Sequence, residues 1–125
     1  MQLADKFLSI GIWSEDHRRL AKWYENVLNF KVKTVIDLPN EQCIDFDFGN
    51  CFFFIGHHSK VHGKSKDPYR TMIGFNVASV TKTYQELNEK KVTIIAKPFE
   101  APPGGFWCMT IADPEGNILQ FVGQK

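Results

Sequence analysis

The stretch GNCFFFIG, Gly49–Gly56, returns near the end of the chain as GNILQFVG, Gly116–Gly123. Five of the eight positions are identical or exchange Ile for Val, and the two runs part at their centre, Phe53 against Gln120. A second correspondence begins each half: Ile10-Gly11-Ile12 matches Ile73-Gly74-Phe75 at an offset of 63, against 67 for the later strand. Self-similarity over this span means that one supersecondary unit is written twice, with a small insertion in one copy.

Each early strand leads into a helical pattern. Ser14 or Asp16 can cap a first helix whose apolar residues Leu20, Trp23, Val27 and Leu28 recur at helical spacing, and Ser79 can cap a second with Val80, Tyr84 and Leu87. Short strand signals follow: Lys31–Ile36, Cys43–Phe48 and Asn50–Ile55, then Thr93–Ala96, Phe106–Ile111 and Asn117–Val122. Turn chemistry at Leu38-Pro39-Asn40, Gly49-Asn50, Ala101 to Gly105 and Asp113 to Gly116 separates them. The module is β-α-β-β-β, at about 6–56 and again at 70–124, with a polar linker over 57–69. The fold class is α+β. Alternation on the first strand places Leu8, Ile10 and Ile12 under the helix, and Ser9, Gly11 and Trp13 on a mixed face suited to a cavity wall.

The 125 residues suffice for one domain, 1–125. A net charge of +1 argues against nucleic-acid or membrane-surface binding driven by charge. Cys43, Cys51 and Cys108 are odd in number and lack metal-ribbon spacing, which suits a reducing, cytoplasmic setting. The N-terminal residues do not read as a signal peptide, and no run reaches the length of a membrane span. Nucleophile-elbow, zinc-protease, P-loop and dinucleotide-binding motifs are absent.

The paired modules, with WYENVLNF (Trp23–Phe30) in the first helix and DPEGNILQFVG (Asp113–Gly123) at the end, resemble the vicinal oxygen chelate superfamily, which holds glyoxalases, extradiol dioxygenases and bleomycin-resistance proteins. The resemblance spans Phe7 to Gly123 and implies mixed sheets curled around a cup with helices on the outer face, and pairing into a homodimer. Enzymes of that superfamily hold a divalent metal with His, Gln or Glu from the first and last strand of each module. The internal repeat puts Ser9, Met72, Phe53 and Gln120 at those positions. Ser is a poor ligand, Met prefers soft copper and Phe has no donor atom, so only Gln120 remains and one neutral amide holds no metal. Phe53 and Met72 also suit core filling.

Trp13, Asn76 and Trp107 complete the expected ligand-binding set, Trp107 after a Gly104-Gly105 loop where a lid would sit. His57, at the same parity as Phe53, and Gln120 are the weak metal candidates. His58, His62 and their lysine neighbours read as a solvated linker. Asp45 and Asp47 in CIDFDF share a strand face, either meeting water or serving acid–base or cation chemistry. The expected function is a metal-free binder of a small-molecule ligand, similar to bleomycin-resistance proteins, with no cofactor. The alternative is a glyoxalase- or dioxygenase-type lyase or isomerase with a divalent metal on unusual ligands, and a third is a fold kept for protein contacts.

Overall fold

In the computed structural model, which describes residues 1–49 and 51–125, the chain forms two units, Met1–Gly63 and Lys64–Lys125. In the first, β1 (Ser9–Ser14), α1 (His17–Leu28), β2 (Val32–Leu38), β3 (Glu41–Phe46) and β4 (Phe52–His57) build a four-stranded sheet of order β1-β4-β3-β2. In the second, β5 (Met72–Ser79), α2 (Val80–Glu89), β6 (Thr93–Glu100), β7 (Trp107–Ala112) and β8 (Ile118–Gln124) repeat it as β5-β8-β7-β6. Each module's first and last strands pair in parallel and the remaining pairs are antiparallel, so both sheets are mixed. The fold is the expected α+β repeat of two βαβββ modules. The expected strand start at Asn50 lies outside the described residues, and the expected linker is shortened at both ends by His57 of β4 and a 3₁₀ turn at Pro68–Arg70.

Local chemistry sets the element ends. Asp16 caps α1 by accepting from the Arg19 N–H, and Asn29 ends it in the left-handed conformation (φ 59°), which Asn adopts more readily than other non-glycine residues. Ser79 caps α2 by accepting from the Lys82 N–H. β6 runs on to Glu100, past the end expected at Ala96. It is an edge strand, where the register shifts around Pro98 and the missing N–H removes no central ladder bond.

The buried stripe of α1 is His17, Leu20, Ala21 and Tyr24, turned by one position from the one expected on Trp23. Tyr24 is wholly buried and meets Phe53 of β4 with ring centroids 6.0 Å apart, while Trp23 is half-buried. Around Phe53 stand Phe30 (5.6 Å), Phe48 (5.5 Å) and Phe46 (6.2 Å). Ile12 and Ile55 extend this core along the same sheet face. The fully buried rings, Tyr24, Phe46 and Phe53, each gain about 1.5–3 kcal/mol from burial, and well-oriented pairs add about 0.5–1.5 kcal/mol. Four of the eleven phenylalanines, Phe30, Phe46, Phe48 and Phe53, thus form one aromatic cluster with Tyr24. Leu8, expected beneath the helix, precedes β1 and is exposed.

In the second unit the turn before β8 is organised by one carboxylate. Asp113 is buried and accepts from the backbone N–H groups of Glu115 and Asn117, both at 2.9 Å, and from the Asn117 side-chain amide at 2.8 Å. Gly116 takes φ +83° to close that turn, a conformation costly for a side chain. Asp113→Ala is expected to lower the unfolding free energy by about 2–4 kcal/mol, because three donors lose a charged acceptor. Urea unfolding of the two proteins measures this.

Candidate functional site

With Ile12, Phe53 and Ile55 committed to the helix side, alternation turns Ser9, Gly11 and Trp13 of β1, and Phe52, Phe54 and Gly56 of β4, to the open face. Strands β3 and β2 continue the rows: Gly11, Phe54, Asp45 and Thr34 stand side by side, and Trp13, Gly56, Cys43 and Ile36 form the next row. A groove of about 1050 Å³ lies over this face, floored by Trp13, Phe52 and Phe54 and walled by Thr34, Ile36 and residues 39–45 except Ile44. Its volume is at the upper end for small-molecule sites.

Two glycines let the aromatic rings lie low. A Cβ built on Gly56 would stand 2.7 Å from Cζ3 of Trp13, and one on Gly11 would stand 2.7 Å from Cε2 of Phe54. Each ring thus leans across the glycine of the neighbouring strand. The two rings meet edge to face at 5.4 Å and 72°, and His58 stands against the other side of Trp13 at 5.3 Å.

The expected position of Phe53 on the cavity side is corrected: Phe53 is 2% exposed and belongs to the core. The residue opposite Gly11 is Phe54, as Gln120 is opposite Gly74, so the repeat's structural offset here is 66 (Phe54 to Gln120). A one-residue slip exchanges the faces of a strand. His57 is corrected with Phe53, since it shares its parity. It turns beside His17 (ring centroids 6.1 Å), with Nδ1 3.1 Å from the Glu15 carbonyl oxygen, and still contributes to the groove lining.

In the second unit, Met72 and Asn76 are exposed on the open face of β5, and Gln120 is half-buried on that face between Gly74 and Thr110. Trp107 is corrected: it begins β7 at the parity of the core residues Met109 and Ile111, with the Lys125 ammonium 4.8 Å above its ring. Asp45 lines the groove, whereas Asp47 lies beyond β3, its backbone N–H bonded to Lys31. Sequence reasoning missed Phe52, Phe54 and Thr34. The signal for Phe54 was the alternation that Ile55 shares with the buried residues of β3, which outranks the letter match of the two Gly-Asn runs.

The sequence profile of the glyoxalase/bleomycin resistance protein/dioxygenase superfamily matches residues 6–121. The chain belongs to this superfamily. Similar solved structures include a superfamily member from Sphaerobacter thermophilus DSM 20745 (19% identity over 97% of this chain and 98% of that one, TM-score 0.79). Others are TioX from Micromonospora sp. ML1 (15%, 96% and 99%, 0.73) and lactoylglutathione lyase from Agrobacterium tumefaciens (14%, 98% and 96%, 0.72). At these identities the likeness shows the fold alone. No curated protein sequence matches the chain.

The superfamily's usual metal does not fit the residues present. Replacing Phe53 by Phe54 at the central position still supplies no donor, and Ser9, Met72 and Gln120 offer no anionic or imidazole ligand. Among the described residues, no three His, Cys, Asp or Glu side chains gather as a metal-holding group.

Beside the groove, His17 is 6% exposed, and its pKa is lowered from 6.5, first by burial and then by the Arg18 and His57 charges. A base with a depressed folded-state pKa contributes stability above its unfolded value and loses it as the pH falls through the folded value. The wild type is therefore expected to lose stability more steeply than His17→Asn on going from about pH 7.5 to about pH 5. Urea midpoints of both proteins across that range check it.

Proposed function

We propose that the first module binds a planar or amphipathic small molecule on its open face without a metal, in the manner of a sequestering protein. One observation carries this reading: Trp13 and Phe54 are laid on the sheet by Gly56 and Gly11, presenting aromatic surface inside a groove of ligand size. The superfamily contains both enzymes and non-enzymatic binders, and sequestration requires only affinity. The unsuitability of Ser9, Phe54, Met72 and Gln120 as metal ligands supports the binding alternative.

The test uses W23F/W107F protein, in which Trp13 is the only tryptophan, titrated with planar aromatic compounds. Saturable quenching is expected to survive dialysis against EDTA and to weaken at least about tenfold in Phe54→Ala. Binding that disappears with EDTA and returns with a divalent ion would refute the metal-free reading. Phe53→Ala, by contrast, should cost about 3–5 kcal/mol of stability by emptying the core.

A further inference from the structure

Among the described residues, the Asp45 carboxyl on the groove face has no counter-charge. Asp45 stands in register between Phe54 and Thr34, and its Oδ1 is buried with no hydrogen-bond partner among the described residues. The other carboxylates of this unit that enter ion pairs or caps do so elsewhere: Asp37 with Arg18 at 2.8 Å, Glu15 with His62, and Asp16 at the start of α1. Among the described residues, no Lys, Arg or His lies within ion-pair distance of Asp45. The Lys33 ammonium, on the adjacent strand, rests over the Phe52 ring at 5.7 Å instead. Glu41, on the same wall, adds a second negative charge, while His57 and His58 line the groove near Trp13.

A partly desolvated carboxylate gains most from a partner that brings both opposite charge and N–H donors. The rings around it favour the same partner, since the faces of Trp and Phe attract cations. The Phe54 ring leans toward Gly11 on β1, the side away from Asp45 on β3. We infer that the groove selects a cationic aromatic or amphipathic ligand, an amine or a protonated nitrogen heterocycle, with Asp45 as its counter-charge. The inference rests on the small-molecule reading above and adds the ligand's charge to it.

Three compounds sharing one ring system separate the two claims: 9-aminoacridine, acridine and acridine-9-carboxylate. They are titrated against Trp13 fluorescence at mildly alkaline pH, where they are cationic, neutral and anionic. The expected order is 9-aminoacridine tightest by at least about tenfold over acridine, with the carboxylate weakest. Asp45→Asn should erase the cation's advantage over acridine. Equal binding of all three compounds by the wild type overturns cation selection and leaves the groove as a small-molecule site. An advantage that persists in Asp45→Asn overturns the role of Asp45. The absence of saturable quenching by all three overturns the inference together with the reading it rests on. The wild-type order alone decides cation selection if the variant fails to fold.

Discussion

The packing of Phe53 among Tyr24, Phe30, Phe46 and Phe48 fixes the parity of β4, and with it both faces of the first module. A strand offers its residues to two sides in strict alternation, so burying Phe53 and Ile55 under α1 commits Phe52, Phe54 and Gly56 to the other side. Parallel pairing with β1 carries the commitment across: Ile10 and Ile12 go with the core, Gly11 and Trp13 with the groove. Several buried aromatic contacts enforce this parity, so reversing it would expose the whole cluster. The open face is the complement of the core.

The two modules share this frame and spend it differently. Gly11 and Gly74 are equivalent, each opposite the central residue of its module's last strand. In the first module that residue is Phe54 and its ring covers the glycine. In the second it is Gln120, and a Cβ on Gly74 would meet nothing within 4 Å. A conserved backbone geometry thus holds an aromatic floor in one copy and a polar amide in the other. The duplication supplies positions, and the side chains placed there decide what chemistry each copy offers.

The repeat, the two helices, the Ser79 cap and Asp16 as one of two candidate caps, and the mixed sheets were legible because periodicity and turn residues are local signals. Alternation in β1 correctly assigned Ser9 and Trp13 to the open face. What failed was the step from repeat to register. Matching Gly49-Asn50 to Gly116-Asn117 aligns letters, but the structural equivalence of β4 and β8 is set by which residues the helices bury, and the connections differ in length by one residue. Tyr24 displaced Trp23 from the α1 stripe for a similar reason, since tertiary packing against the phenylalanine cluster chooses among neighbouring apolar residues. Trp107, expected at a lid after Gly104-Gly105, stands instead at the start of β7, in phase with Met109 and Ile111, because the strand's alternation outranks its nearness to the glycine loop.

The chemistry available to the first module follows from that register. Its central positions carry Ser, Gly and aromatic rings, so the groove floor offers dispersion and π-face electrostatics with no lone-pair donors suited to a divalent ion. On the proposed binding role, directional specificity would come from the walls, where, among the described residues, the Asp45 Oδ1 is buried without a hydrogen-bond partner. An unpaired carboxylate oxygen beside aromatic surface costs stability, and burial of such groups without partners is uncommon in native folds. A ligand that answers it recovers that cost as affinity, and one that cannot leaves the penalty in place. On the inferred role, that asymmetry would discriminate ligands by charge, whereas the rings alone would accept any flat molecule of suitable size.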